Sequence, residues 1–433
     1  MTHTSDPSGL VEHLFRHQAG RLVARLTRLF GPANVSLAEE TVQEALIRAL
    51  QTWPYQGVPE NAAGWLFRVA HNLAVDAVRR DRTFAGKAET LVAELTRSSL
   101  VEPDEALVEE QFRDDELRMI FMCCHPDVPR DSRVALSLKA IGGFSVGEIA
   151  RAFLCEDPTI AQRIVRAKRQ IRERRLTMDL PGAGELRRRL DSVLDVLYFM
   201  FNEGYAAHEG EALIRQDLCF EALRLARLVA ASSLAEPRAH ALVALIALQA
   251  ARFPARVSEA GDLVLLEDQD RALWDRRLIA LGFRHFDLSM SGSEVSEFHV
   301  QAAIAATYAR AEDPASVAWP IILELYDQLL QLNASPVVAL NRAVVVSKVL
   351  GPEEALRIVE TIEGDRLLRH YHLLLAVKGR LLQELGRSAD AAVCFRSALQ
   401  AARCEPERRF LERRLKECEA SSTAAGSQIG RVL

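Results

Sequence analysis

The chain has few cysteines and few aromatic residues for its length of 433 residues. Its seven cysteines include no C-x-x-C pair, and only 6% of the residues are Phe, Trp or Tyr. A structural zinc site and a disulfide framework are therefore not expected, and the odd number of cysteines fits the reduced thiols of a cytoplasmic protein. No metal or other cofactor is predicted.

Long apolar runs are also missing. The longest, residues 239–251, contains His240 and Gln249 and is shorter than the roughly 20 residues that cross a bilayer. Residues 1–9 are polar, and arginines interrupt the apolar positions that follow, so no signal peptide is expected. We therefore expect no contact with a membrane.

Motifs that carry enzyme chemistry are absent as well. The sequence has no glycine-rich phosphate loop, metal-ligand cluster or nucleophile elbow. The nearest candidate is Cys123-Cys124-His125, but adjacent cysteines point in different directions on a helix and cannot easily bind one metal ion. We interpret the two cysteines as buried thiols and predict that the chain is not an enzyme.

Ala, Leu, Arg and Glu dominate the composition, which predicts an all-α fold, and the length predicts two to four domains. The net charge of -5 conceals two opposite blocks. Residues 101–116 carry eight acidic side chains and one arginine, whereas residues 158–175 carry seven basic side chains and one glutamate. Such blocks indicate a partner that is itself charged in patches.

Apolar periodicity predicts three N-terminal helices, over residues 10–30, 36–53 and 62–80. Ser36 and Glu39 have the spacing of a capping box at the start of the second helix. Two prolines and a glycine predict a loop over residues 54–59. Trp65 lies on the apolar stripe of the third helix, so we place it in the core.

Residues 81–115 are predicted to be a linker with at most weak helix, and a second helical unit begins near Glu116. Ser145 and Glu148 form another capping box, which opens a short helix ending near Phe153. Asp157 and Pro158 then suit the N-cap and first position of a helix that runs to about Arg175. A short helix, a turn and a basic helix predict a helix-turn-helix.

The basic helix has two different faces. An arc of about 100° holds the residue types that read the DNA major groove, namely Thr159, Gln162, Arg163 and Arg166. A stripe about 110° away is apolar and can dock on the preceding helices; it contains Ile160, Ile164, Ala167 and Ile171. Lys168 and Arg169 flank the first face and are candidates for phosphate contacts. The alternative is a solvated basic helix without a partner.

After Pro181-Gly182 the chain becomes a series of Ala- and Leu-rich helices. Residues 372–403 place small and aromatic residues at the offsets of a tetratricopeptide unit, namely Gly379, Gly386, Ala391, Phe395 and Ala398. Ala343 and Ala355 suggest an earlier copy about thirty-six residues upstream. We predict a helical, repeat-like C-terminal domain.

The order of these parts resembles a known family. Residues 39–49 (EETVQEALIRA) and 64–80 (GWLFRVAHNLAVDAVRR) resemble conserved regions 2.2 to 2.4 of extracytoplasmic-function (ECF) sigma factors. The segments FSVGEIA, from residue 144, and AQRIVRAK, from residue 161, resemble their region 4. The segment YFMFNEGY, from residue 198, is similar to the sigma-factor subgroup with a tetratricopeptide-like extension.

The resemblance implies four parts: a region 2 domain (8–83), an acidic linker (84–114), a region 4 helix-turn-helix domain (115–178) and a C-terminal extension (185–433). It implies a protein that directs core RNA polymerase to promoters and initiates transcription by recognising the −35 and −10 elements. The linker would pass through the RNA-exit path, or be only a solvated tether. The extension would regulate the activity of the sigma factor, either through an intramolecular contact or by binding a regulatory protein.

The resemblance also assigns roles to single residues. Contacts to the clamp helices of the polymerase are implied for Glu40, Gln43, Glu44 and Arg48. The −10 element would meet Tyr55, Gln56, Asn72, Asp76, Arg79 and Arg80. Tyr55 would capture a flipped base or, alternatively, cap the small core. The −35 element would meet Thr159, Gln162, Arg163, Arg166, Lys168 and Arg169.

One residue departs from the family pattern, because Leu154 stands where region 4 usually has a glycine, and this leaves the base assignments of Gln162 and Arg163 open. An alternative function is a helix-turn-helix regulator with a repeat scaffold that binds duplex DNA without replacing a sigma factor. In a third hypothesis the scaffold carries the function and the basic helix is incidental.

Overall fold

The computed structural model describes residues 7–80, 105–153, 155–205, 209–210, 213–369 and 371–429. Within these ranges the fold is helical, as predicted, and the strands are two residues long: β1 (Glu209–Gly210) pairs in parallel with β2 (Arg403–Cys404). The chain divides into two compact units, residues 1–199 and 200–433.

The first unit contains seven helices and the start of an eighth among its described residues. They are α1 (Pro7–Phe30), α2 (Val35–Gln56), α3 (Ala62–Arg80), α4 (Glu105–Cys123), α5 (Arg130–Ala140), α6 (Val146–Ala152), α7 (Asp157–Glu173) and α8 (Ala183–Tyr205), which ends in the second unit.

Helices α1 to α3 form a small core around apolar residues at helical spacing. Leu22 and Leu26 of α1 are buried, as are Leu46 and Trp53 of α2. Trp65 of α3 is half-buried, with its ring centroid 5.5 Å from that of Trp53 in an edge-on arrangement. The prediction that Trp65 belongs to the core is thus confirmed in part, since one side of the indole remains accessible.

The acidic stretch predicted as a linker is helical from Glu105 onward. Its last residues pack on α1, where Arg25 Nη1 lies 2.8 Å from Oδ2 of the buried Asp115. Phe112 of the same helix is buried with its ring centroid 6.0 Å from that of Phe67. The linker prediction is wrong for these residues, because contacts with distant aromatic and basic side chains stabilise a helix that local composition did not favour. Residues 81–104 lie outside the described residues.

The N-caps of two helices differ from the prediction. Helix α2 begins at Val35, directly after a 3-10 turn (Pro32–Asn34), with Asn34 as N-cap and no side-chain cap. Ser36 therefore lies inside the first turn, and the predicted capping box with Glu39 is wrong. Helix α7 begins at Asp157, so Glu156 rather than Asp157 is the N-cap.

The loop predicted over residues 54–59 begins later than expected. Helix α2 continues through Pro54 to Gln56 and ends at Gly57, whose φ is 82° and whose N–H bonds to Trp53 O at 2.9 Å. A proline in the last turn removes one backbone donor without preventing that turn, and the glycine then adopts the left-handed conformation that ends it. Tyr55 is therefore held on a helix.

The helix-turn-helix is formed by α6 and α7. The capping box at the start of α6 is confirmed: Glu148 N donates to Ser145 Oγ at 3.1 Å, and Ser145 N donates to Glu148 Oε2 at 2.8 Å. The predicted apolar stripe of α7 is buried in full. Leu154 in the turn lies outside the described residues.

The second unit contains eleven further helices among its described residues. They are α9 (Gln216–Ala230), α10 (Pro237–Ala250), α11 (Phe253–Arg256), α12 (Arg276–Ser289), α13 (Glu297–Arg310), α14 (Trp319–Leu332), α15 (Pro336–Val349), α16 (Pro352–Ile362), α17 (His372–Glu384), α18 (Ser388–Ala401) and α19 (Glu405–Ile429).

Helices α15 to α18 form two consecutive antiparallel hairpins, as the repeat pattern predicts. The small residues at the matching positions, Ala343, Ala355 and Ala391, are fully buried in one core. A Cβ placed on Gly379 would lie 3.0 Å from the Phe395 ring, so a side chain at residue 379 would require that ring to move.

Helix α8 contributes to both units. Its first half binds the first unit, because Arg189 Nη2 donates to Phe121 O at 3.0 Å and the hydroxyl of Ser192 donates to Cys124 O. Its last residue, Tyr205, belongs to the second unit. The compact units therefore divide inside this helix, some fifteen residues after the domain start predicted at residue 185.

Candidate nucleic-acid interface

The outward face of α7 lines an open cleft. Its four predicted base-reading residues, Thr159 to Arg166, stand across from the start of α5, residues 129–132, around a volume of 460 Å³. Gln162 and Arg166 are exposed, while Arg163 is 31% exposed with Nη2 3.6 Å from Asp131 Oδ2. The structure thus brings these residues together on one accessible surface.

The two flanking basic residues of α7 differ in their surroundings. Arg169 is exposed, and its Nε donates to Glu173 Oε1 at 2.7 Å on the same helix. Lys168 instead reaches across to α2, where Nζ donates to Glu39 Oε2 at 2.7 Å and to Ser36 Oγ at 3.1 Å. The ammonium group predicted to meet phosphate therefore binds the first turn of α2 in this structure.

A second accessible surface is formed by the end of α2. Tyr55 is 89% exposed and Gln56 is exposed as well. A side chain this exposed covers no core, so the interpretation of Tyr55 as a cap for the hydrophobic core is wrong. Its aromatic ring is presented to solvent by the last turn of α2.

Helix α3 presents four predicted residues, Asn72, Asp76, Arg79 and Arg80, and all are exposed. Next to Asn72, the imidazole of His71 is buried, with its centroid 5.8 Å from that of Phe30. Burial lowers the pKa of His71, and the hydrogen bond between its side chain and that of Asn72 only partly opposes this effect. The helix is thus anchored by a neutral imidazole, while the side chain of Asn72 remains accessible.

The predicted polymerase face of α2 is also accessible, and it includes residues that the sequence analysis missed. Arg48 Nε donates to Glu44 Oε1 at 3.1 Å, and Glu40 and Gln43 are exposed. Ile47 and Leu50 are 48% and 47% exposed. Their spacing of four and seven residues from Gln43 places all three on one side of the helix. That spacing was the available indication, but the sequence analysis assigned no role to Ile47 or Leu50.

The cysteine pair behaves as buried thiols, as predicted. Cys123 and Cys124 are buried, and burial raises the pKa of Cys124 to about 11, although its contact with Ser137 lowers it slightly. Burial also raises the pKa of Cys123. Both side chains therefore stay protonated and unreactive near neutral pH.

Two features are missing from the ranges that the structure describes. In those ranges no group of three or more His, Cys, Asp or Glu side chains is placed to hold a metal ion. No helix in the described part of the chain combines the length and hydropathy of a membrane span.

Comparison with known families identifies the N-terminal parts of the chain. Residues 14–84 match sigma-70 region 2, and residues 118–171 match sigma-70 region 4. The chain is 30% identical over 163 residues to the ECF RNA polymerase sigma factor SigE of Mycolicibacterium smegmatis, covering 37% of this chain and 60% of the relative. It is 27% identical over 159 residues to the ECF RNA polymerase sigma-E factor of Escherichia coli K12, covering 36% and 80%. The chain belongs to the ECF group of the sigma-70 family.

The similarities of this sigma factor continue beyond region 4. Residues 189–290 match a family of unknown function, DUF6596. An uncharacterized protein of Rhizobium meliloti (strain 1021) is 41% identical over 400 residues, which covers 92% of this chain and 94% of that relative. The extension is thus shared over its length with at least one other protein. No solved structure matches the chain.

Both accessible surfaces of this sigma factor lie within its sigma-70 domains. The α2–α3 surface lies within the region 2 match, and the α7 cleft lies within the region 4 match. Both therefore sit in the domains whose motifs led to the residue assignments.

Proposed function

We propose that this sigma factor binds core RNA polymerase and directs it to promoters by using both surfaces. The α7 face from Thr159 to Arg166 reads the −35 element as duplex DNA. The surface from Tyr55 to Arg80 opens and holds the −10 element. The outward stripe of α2, with Gln43, Glu44 and Arg48, binds the clamp helices of the polymerase.

The observation that carries this proposal is the exposure of Tyr55. An aromatic side chain that is 89% exposed gains little from folding, so stability does not account for its position. Stacking on a base that has left the duplex is worth about 1–3 kcal/mol, and it requires an accessible ring. On α3, Asn72 supplies a base-edge donor, and Arg79 and Arg80 supply phosphate contacts.

The −35 proposal rests on the composition and accessibility of the α7 cleft. Arg and Gln side chains form bidentate pairs with guanine and adenine, each worth roughly 1–3 kcal/mol of discrimination. Gln162 and Arg166 are exposed in the cleft, and the burial of the opposite stripe fixes the orientation of the helix. The exposed guanidinium of Arg169 is suited to a flanking phosphate.

We further propose that the C-terminal extension regulates the first unit. Helix α8 supports this role because it is unbroken from Ala183 to Tyr205 and is fixed at both ends. Arg189 binds a backbone carbonyl of α4 in the first unit, and in the second unit the hydroxyl of Tyr205 donates to Gln249 Oε1 at 2.9 Å. One helix therefore contributes residues to both units, and this covalent connection is the basis of the proposal.

The experiment that tests the proposal is transcription in vitro with core polymerase and no other specificity factor, on promoters that the holoenzyme selects from genomic fragments. We expect promoter-specific transcripts from the full chain. Arg163→Ala with Arg166→Ala should lose −35-dependent transcription while core binding is retained. The matched control, Arg357→Ala with Arg387→Ala, removes two exposed arginines of the second unit and should have no effect.

Each alternative has its own outcome in this assay. A protein that shifts duplex DNA but never co-elutes with core polymerase would be a helix-turn-helix regulator without sigma activity. Unchanged transcription in the double arginine variant would favour the scaffold hypothesis. A chain truncated after Phe199 should still bind core polymerase but transcribe at an altered level, and an unaltered level would remove the regulatory role.

A further inference from the structure

The second unit contains a cavity that promoter recognition does not use. It has a volume of 310 Å³ and lies among α15, α17 and α19, under the segment that follows α11. Its walls are mainly apolar and include Trp319, Val344, Ala376 and Phe395. This volume is within the range of sites that hold small organic molecules.

A loop from outside the repeat hairpins forms the roof of the cavity. Leu263, Leu265 and Leu266 point into it from the segment between α11 and α12. The loop is fixed to α19 by Asp262, whose Oδ1 accepts from Arg409 Nε at 2.6 Å. The loop therefore covers part of the cavity, which remains partly open to solvent.

One end of the cavity carries two cations that share one carboxylate. Lys348 Nζ and Arg380 Nη2 each lie 2.8 Å from a different oxygen of Glu267, which belongs to the roof loop. Burial tends to raise the pKa of Glu267, but the hydrogen bond from Lys348 and the charge of Arg380 outweigh it and hold the pKa below its usual value. Arg380 also forms an ion pair with Glu384. Lys348, by contrast, forms its ion pair among the described residues with Glu267.

The charges of the whole lining favour an anion. Lys348, Arg380 and Arg414 line the cavity together with two carboxylates, Glu267 and Glu407. Glu407 Oε2 lies 3.0 Å from Nε2 of His372. Among the side chains that line the cavity, the three cations outnumber these two carboxylates by one. The further partners of Arg380 and Arg414 are Glu384 and Glu417, which lie outside the lining with 34% and 45% of their side chains exposed. Aromatic walls alone would also suit an ammonium ion, but this excess of positive charge opposes one.

We propose that the cavity binds a small amphipathic carboxylate, with an aromatic or short aliphatic body. The body lies between Trp319, Val344 and Phe395, and the carboxylate takes hydrogen bonds from Lys348 and Arg380. Binding therefore competes with Glu267 for these two cations. Charge-assisted hydrogen bonds of this kind give the site its selectivity, and the apolar walls supply most of the affinity.

The test is calorimetric titration of the full chain with three compounds of one shape: 4-phenylbutyrate, 4-phenylbutanol and 4-phenylbutylamine. We expect the acid to bind at least about tenfold more tightly than the alcohol or the amine. Equal affinity for the three head groups, or no heat from any of them at about millimolar concentration, would overturn the proposal.

Matched variants separate this site from a general effect of charge. Lys348→Met should lower the affinity for the acid by about tenfold and leave the affinity for the alcohol unchanged. Glu267→Gln should raise the affinity for the acid, because it removes the competing carboxylate. Lys378 and Glu363 form a similar pair at 2.7 Å on the same hairpins but do not line the cavity, so Lys378→Met and Glu363→Gln are the controls. If the control variants changed the affinity for the acid as much as Lys348→Met and Glu267→Gln do, the proposed site would be wrong.

A third variant keeps the test decisive if a charge substitution disturbs folding. Ala376→Phe fills the cavity from α17 and should abolish binding of 4-phenylbutyrate, with helicity and melting temperature measured on the same sample. Retained binding in a folded Ala376→Phe protein would show that the acid binds elsewhere and would refute the proposal.

Discussion

The ammonium group of Lys168 in α7 lies 2.7 Å from Oε2 of Glu39 in α2, although 129 residues separate them in sequence. Glu39 is 9% exposed, and its other carboxylate oxygen has no hydrogen-bond partner among the described residues. The contact joins region 4 to region 2. It also withdraws a basic side chain from the flank of the surface proposed to read the −35 element.

The two partners of this contact are expected to have opposite effects on DNA binding. Glu39→Gln removes the charge that holds Lys168 and should raise the affinity of the free protein for its −35 duplex by about two- to fivefold. Lys168→Met should lower that affinity and reduce the slope of its logarithm against the logarithm of salt concentration by about 1, because one phosphate contact is lost. Fluorescence anisotropy over a range of salt concentrations measures both.

The control for this prediction is Glu44→Gln on the same helix. Glu44 forms an ion pair with Arg48 at 3.1 Å but does not contact α7. Its substitution should leave duplex affinity unchanged. If Glu39→Gln weakened binding as much as Lys168→Met does, the contact would be part of the DNA-binding arrangement and not a competitor of DNA.

This contact also shows where reasoning from the sequence ends. Ser36 and Glu39 have the spacing of a capping box, but both side chains bind Lys168 instead. Arg25 and Asp115 are separated by 90 residues, and their ion pair helps hold a helix where composition predicted a linker. Local patterns predicted the helices themselves well, because the apolar residues of a buried stripe such as that of α7 recur at every turn and are visible in a short stretch of sequence. They carry no information about which distant charges meet.

Some residues of the candidate site could likewise be predicted from the sequence, and others could not. Spacing along an amphipathic helix identified the outward face of α7. The exposed residues of α3 were instead implied by the resemblance to ECF sigma factors. Neither the spacing nor the resemblance predicted that the end of α2 extends to Gln56, because the helix continues through Pro54 and the turn is closed by Gly57. The exposed Ile47 was missed because an apolar residue on a helix is normally assigned to the core.

Removal of the exposed ring of Tyr55 should affect promoter opening and not stability. Tyr55→Ala is expected to slow formation of the open complex by about tenfold, the equivalent of one lost base-stacking contact. The melting temperature should stay the same, because the side chain is 89% exposed. Permanganate footprinting of the −10 element and a thermal melt provide the two measurements.

Tyr55→Phe is the matched control, since it keeps the ring and removes only the hydroxyl. It should open promoters nearly as well as the natural protein. If Tyr55→Phe lost as much activity as Tyr55→Ala, the hydroxyl rather than stacking would be responsible, and base capture by the aromatic face would be the wrong description.

The stability of the second unit should fall as pH rises toward 7, because of Glu203. Burial raises the pKa of Glu203 to about 7 from an ordinary 4.5, while Arg215 partly opposes the shift. The folded chain holds this proton more tightly than the unfolded chain, so the stabilisation is complete below about pH 4.5 and is lost as pH passes about 7. Discounted for partial exposure, the loss is about 1–2 kcal/mol.

Chemical denaturation at about pH 5 and about pH 8 measures this loss, and Glu203→Gln should abolish the contribution of this group. Glu354→Gln, which removes an exposed partner of Arg357, is the control and should retain the full dependence. A dependence that survives Glu203→Gln unchanged would assign it to another group.

The close approach of α17 and α18 predicts a strong steric effect at Gly379. A Cβ there would lie 3.0 Å from the Phe395 ring, so Gly379→Val should destabilise the second unit by about 2–3 kcal/mol. Gly364→Val is the control, because no atom lies within 4 Å of its Cβ position. Combining Gly379→Val with Phe395→Leu should cost less than the sum of the two changes, and strict additivity would argue against direct contact.

The exposed apolar residues of α2 should contribute to polymerase binding more than to folding. Ile47→Asp is expected to weaken the complex with core polymerase by about tenfold or more, since it places a charge where apolar surface would be buried. The melting temperature should change little, because Ile47 is 48% exposed. Val393→Asp on α18, where the side chain is 59% exposed, is the matched control and should leave the affinity unchanged. Competition of labelled protein for core polymerase measures both variants, and equal affinities of Ile47→Asp and the natural protein would move the polymerase contact away from this stripe.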